Sequence, residues 1–230
     1  MKKEIKFLFR ASTVGEEVEE VWQILNNYSW YKTNGYSLNI PKDKKIDNLI
    51  QISLKEKGLQ RKNRNQIKQI IQDTYDEKYF KNGLNVLNSL RQDIHRCFPK
   101  FVEYEKLWKF GIHKTYEVII TLYGTEGSYD VQTRRIYILI KKGDQPKRNY
   151  FFQTIIHELV HIGIEDFIKK FKITHNEKER IVDLFCSREF KIKKYILQNI
   201  GDIRIDNYIV SGGFRNLPLA LKKYVRDFPR

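Results

Sequence analysis

Residues 151–183 carry the side chains best suited to chemistry. The run His157-Glu158-Leu159-Val160-His161 puts two imidazoles four residues apart, with a carboxylate between them. In a helix, positions i and i+4 lie on one face about one turn apart, so both rings can reach a single metal ion. Glu158 lies roughly 100° around the helix from His157, near enough to address a water beside that ion. The neighbours Ile155, Ile156, Leu159, Val160 and Ile162 make this helix apolar on nearly every side, the pattern of a buried helix. Two histidines and a glutamate are costly there unless something satisfies them. The competing reading is a core helix whose histidines are only hydrogen-bonded.

The arrangement H-E-x-x-H is that of zinc hydrolases, in which two histidines hold the ion and the glutamate acts as base. A catalytic zinc usually has a third protein ligand and keeps one position for water. Glu165, His175, Glu177 and Glu179 are the candidates. Glu165 lies further along the same helix, and a rigid helix can hardly wrap a third ligand around one ion. A second helix is better placed. Thr174 and Glu177 form an S/T-x-x-E capping box that starts one. Within it, Glu179 and Asp183 are again four apart. Glu179 could bind metal while Asp183 accepts a proton from a ligand histidine and fixes its tautomer. Glu177 already has the capping role.

HELVH followed by Glu179-x-x-x-Asp183 resembles the gluzincin clan of metallopeptidases, in the thermolysin-like style. The resemblance covers residues 116–186 at most. It implies His157, His161 and Glu179 as ligands of one Zn2+, Glu158 as general base and Asp183 as support. It also implies a zincin-like fold, with a small sheet over the active-site helix. The edge strand of that sheet would bind a peptide in extended form. Residues 124–130 are then candidates for the cleft rim, the other reading being an ordinary hairpin loop. A metzincin is disfavoured, because Ile164 and Phe167 stand where that clan has glycine and a third histidine. Clan members also supply a His or Tyr to the tetrahedral oxyanion. His175, Tyr129, Tyr208 and Tyr224 are the candidates here, with nothing to choose between them.

With 41% hydrophobic and 31% charged residues, the 230-residue chain has the composition of a soluble globular protein with a real core. Cys97 and Cys186 are too few for a disulfide framework and point to a reducing compartment. The first apolar run is short and carries Lys6 and Arg10, unlike a targeting peptide. No apolar run approaches membrane-spanning length. A cytoplasmic protein without a membrane partner is expected. The net charge of +15 would suit an acidic peptide or protein substrate. Nucleic acid is the other anionic partner, and is not favoured because no recognition motif accompanies the charge. The competing function is therefore a basic nucleic-acid-binding or regulatory module whose metal site is structural or inactive.

The expected fold is α+β. Residues 1–100 form a mainly helical accessory region, and residues 101–230 form the catalytic half, with Pro99 at the boundary. Residues 4–9 read as a strand and 16–25 as a helix. Residues 26–41 read as a loop whose aromatics, Tyr28, Trp30, Tyr31 and Tyr36, pack it down or stack on a ligand. Residues 47–56 could be helical. Residues 66–80 and 82–97 read as a helical hairpin joined at 81–83. Residues 116–123 and 135–141 are strands separated by a break at 124–130. The second site helix should continue through Ile192 towards Leu197 and end at Gly201. Residues 202–213 read as irregular, and 217–225 as a last helix that covers the cleft or packs on the surface.

Overall fold

A computed structural model describes residues 5–143, 145–190, 192 and 201–229. In chain order the elements are β1 (Lys6–Ala11), α1 (Val14–Asn26), α2 (Tyr28–Thr33), α3 (Lys44–Glu56), α4 (Asn63–Thr74), a 3-10 turn at Glu77–Phe80, α5 (Lys81–Trp108), β2 (Thr115–Thr121), β3 (Gly127–Asp130), β4 (Arg135–Leu139), α6 (Arg148–Lys170), α7 (His175–Glu189), α8 (Arg204–Gly212), a 3-10 turn at Phe214–Asn216 and α9 (Leu217–Asp227). The fold is α+β, mostly helical around one small sheet.

The strand order is β1-β2-β4-β3. β1 and β4 both run parallel to β2, and β3 is antiparallel to β4. Ile120 pairs with Ile138, which pairs with Gly127, so these three share one face of the sheet. α5 and α6 cover that face, with Gly83 under Ile120 and both Thr154 and Glu158 under Gly127. The other face meets α1. There Glu17 is buried and accepts hydrogen bonds from Thr121 Oγ1 (2.9 Å) and the backbone N–H groups of Leu122 (2.8 Å) and Tyr123 (3.2 Å). This ties down the chain where it leaves β2 for the edge strand.

α6 is buried over most of its length, including Ile155, Ile156, Leu159, Val160, Ile162 and Ile164. Each such side chain contributes about 1.5–3 kcal/mol relative to exposure. Gly163 lets the chain after α5 touch this helix: Gly111 N–H donates to Gly163 O at 2.8 Å. A Cβ on Gly163 would lie 1.9 Å from the Phe110 ring. Gly163→Ala should therefore destabilise the protein by about 2–3 kcal/mol, and lower Tm by roughly 5–10 °C. An unchanged thermal melt would show that Phe110 moves aside freely.

Several elements differ from the sequence expectation. β2 and β4 are parallel neighbours, not a hairpin, and residues 124–130 include the edge strand β3. Its four residues include Gly127, Ser128 and Asp130, which hide a strand from propensity. Residues 26–41 contain the short helix α2, none of whose residues is buried. Without buried positions there is no apolar spacing to read. Residues 202–213, expected to be irregular, contain the whole of α8, anchored by the fully buried Ile205 and Ile209. The expected hairpin is joined by residues 75–80, while residues 81–83 open α5. α5 runs through Pro99, and residue 100 lies inside it. β1 joins the same sheet as β2 and β4, and one core cluster spans both halves of the chain. α7 stops at Glu189, before Ile192, and Leu197 lies outside the described residues. Among the described residues no helix is long and apolar enough to cross a membrane.

Candidate metal centre

α6 presents His157 and His161 one turn apart, and α7 crosses it to bring in Glu179. The local reasons are visible in α7. Thr174 Oγ1 accepts from Glu177 N–H at 3.4 Å, and the Glu177 carboxylate accepts from Thr174 N–H at 2.8 Å. This capping box fixes where α7 begins. Ile181, Val182 and Phe185 are fully buried, which sets which face of α7 turns inward.

Three ligand-type atoms converge. His157 Nε2 and His161 Nε2 are 2.9 Å apart, and Glu179 Oε2 lies 3.3 Å from the first and 3.2 Å from the second. Among the described residues this group could hold a metal ion. A triangle of these sides admits a point about 2.0–2.1 Å from every corner, the distance at which zinc holds nitrogen and oxygen. Protons alone serve the arrangement poorly. With Glu179 ionised, two rings that both donate to Oε2 would turn their N–H groups towards each other. If one ring instead accepts from the other, its lone pair faces the carboxylate. One edge of the triangle is repulsive either way, whereas a shared cation makes all three attractive.

Burial and charge set the protonation of the group. Burial alone would lower His157, but hydrogen bonds to Cys186 and Glu179 and the charge of Glu158 hold it well above its ordinary pKa. Burial brings His161 down to about 4, against the opposing pull of Glu179. Burial would raise Glu179, but the charges and hydrogen bonds of His161 and His157 keep it far below the usual carboxylate range. Glu158 is 5% exposed, and burial pushes its carboxyl up to about 7 despite the neighbouring His157 charge.

Glu158 lies beneath the edge strand. A Cβ on Gly127 would sit 2.6 Å from Glu158 Oε1 and 2.5 Å from Thr154 Cγ2, so only glycine lets β3 lie this close. Asp183 Oδ1 is 3.6 Å from His157 Nδ1, on the side of the ring away from Glu179. Cys186, fully buried, also reaches His157, a contact that the spacing of the cysteines did not reveal.

Of the other candidates, Glu165, Glu177, Tyr208 and Tyr224 are engaged by partners outside the triangle, while Tyr129 and His175 lie against it. Glu165 accepts from Tyr129 O–H at 3.1 Å, and Glu177 accepts from Tyr224 O–H at 2.5 Å as well as capping α7. Tyr129 stacks on His161 with centroids 4.9 Å apart and an 11° tilt, while its hydroxyl takes a hydrogen bond from Lys178 at 2.9 Å. Tyr208 donates to Asp227 at 2.9 Å. Tyr224 belongs to α9, which packs beside the start of α7 through Glu177 and Asp202. His175 does reach the centre, with Nδ1 3.7 Å from Glu179 Oε1. Tyr36 arrives unforeseen, its hydroxyl 2.6 Å from His175 Nε2 across 139 positions of sequence. No local pattern signals a contact of that separation.

No family model, curated protein or solved structure matches the chain.

Proposed function

We propose that the chain is a zinc-dependent metallopeptidase of the gluzincin type, with His157, His161 and Glu179 as zinc ligands and Glu158 as general base. The observation that carries this reading is the three-atom triangle, with Glu158 one position along α6 and under a sheet edge. Two imidazoles and a carboxylate suit zinc, and three protein ligands are the catalytic rather than the structural number.

Zinc, when bound, supplies Lewis-acid polarisation of a carbonyl and lowers the pKa of water from ~15.7 towards ~7. The chain supplies the rest. The Glu158 carboxylate takes a proton from the attacking water and passes it to the leaving amine. Asp183, 3.6 Å from His157 Nδ1, keeps that ring oriented with its other nitrogen inward. The Gly127 backbone runs directly above Glu158, and β3 is the last strand of the sheet. A peptide added along β3 would pass beside that carboxylate in extended form. The net charge of +15 favours acidic peptides.

A proton-linked loading follows. His157 holds its proton well above the ordinary pKa, and a ligand imidazole must give it up. Metal affinity should therefore fall as pH falls, and the fall should begin above pH ~6.5, where an unperturbed histidine would start to lose affinity. Zinc titrations at a series of pH values would read this directly. A dissociation constant that stays flat through the neutral range would contradict it.

The function is tested by incubating the zinc-loaded protein with denatured casein, with and without a chelator. Chelator-sensitive cleavage restored by zinc is expected. A fully zinc-loaded chain that cleaves neither casein nor short acidic peptides would count against a peptidase.

A further inference from the structure

Tyr36 comes from the N-terminal hundred residues, yet its ring lies against the first turn of α7. Trp30 stacks on it with centroids 5.6 Å apart and a 25° tilt. Trp30 also meets the His175 ring at 5.3 Å and 62°. Two aromatic side chains thus confine one imidazole. That imidazole bridges outward and inward. Its Nε2 is 2.6 Å from the Tyr36 hydroxyl, and its Nδ1 is 3.7 Å from Glu179 Oε1, one helical turn on. The other oxygen of the same carboxylate, Oε2, is the one that meets His157 and His161.

The geometry selects a tautomer. Nδ1 faces a carboxylate oxygen, which an N–H can do and a lone pair cannot without repulsion. A neutral imidazole with its proton on Nδ1 has its lone pair on Nε2, so Tyr36 O–H donates there. The tyrosine hydroxyl therefore favours the ring proton that points at Glu179. At 3.7 Å the last step is electrostatic attraction rather than a full hydrogen bond, so its effect is moderate.

We propose that Tyr36 is a positioning residue of the metal centre: its hydroxyl orients His175, and His175 steadies the outer oxygen of Glu179. This rests on His157, His161 and Glu179 being the metal-binding group. It makes a segment remote in sequence part of the centre.

The test is zinc affinity, measured by competition with a chromophoric chelator, for the wild type, Tyr36→Phe, His175→Asn and the double variant. Tyr36→Phe keeps the stacked ring and removes one oxygen. It should weaken binding about fivefold, below the 10–100-fold seen when a group bonded directly to a ligand is lost. His175→Asn keeps an N–H near the Nδ1 position but breaks the link to Tyr36. In that background Tyr36→Phe should change affinity less than about twofold. Wild-type affinity in Tyr36→Phe, or equal weakening in both backgrounds, would overturn the proposal. A wild-type chain that takes up no zinc would overturn the reading of the cluster itself, and this inference with it.

Discussion

Glu158→Gln is expected to keep bound metal and to lose hydrolysis by roughly 10³-fold, within the 10²–10⁴ range that a positioned acid–base group contributes. The amide has the shape of the carboxylate, so it fits under Gly127 without moving β3, where there is no room for a bulkier group. It cannot accept the water's proton. Glu158 does not belong to the three-atom group, so metal stoichiometry should stay at the wild-type value. The same change removes a buried carboxyl that burial pushes up to about 7, so the fold should not suffer. Activity within tenfold of wild type would end the assignment of Glu158 as base. Loss of metal along with activity would instead make it a ligand or a structural neighbour.

Glu179→Ala is expected to weaken metal binding by at least about a hundredfold, because losing a group that merely supports a ligand already costs 10–100-fold. Glu179 supplies the only carboxylate oxygen within 3.3 Å of both ring nitrogens among the described residues. Without it, two imidazoles on one helix face must hold the ion alone. The other acidic candidates for the third position, Glu165 and Glu177, are engaged by Tyr129 and Tyr224. Glu179→Gln provides the control for folding, since it preserves volume while removing the charge. Wild-type zinc content in Glu179→Ala would mean that a different residue completes the site, with His175 the first to examine because it already lies 3.7 Å from Glu179.

What could be read from the chain was local, and what could not depended on distant packing. The four-residue spacings of His157 with His161 and of Glu179 with Asp183 are helix geometry, and the Thr174 box marks where α7 starts. Those features need only the rise and pitch of a helix. By contrast, the partners of Tyr36 and Cys186 lie on other elements, and nothing in their neighbours announces them. The edge strand β3 escaped because its flexible residues read as a break, although Gly127 is the residue that lets it close over Glu158. α8 was legible in hindsight. Ile205 and Ile209 are four apart and fully buried, but the surrounding Asp202, Asn207 and Gly213 outweighed them. The parallel pairing of β1, β2 and β4 was beyond reach, because strand direction is set by crossovers rather than by strand composition.

The most direct measurement is the zinc content of purified, dialysed protein, compared with that of a His157→Ala/His161→Ala double variant. One zinc ion per wild-type chain and none in the variant is the expected result. Wild-type protein without zinc, or a variant that retains its full complement, would contradict a metal centre at these residues.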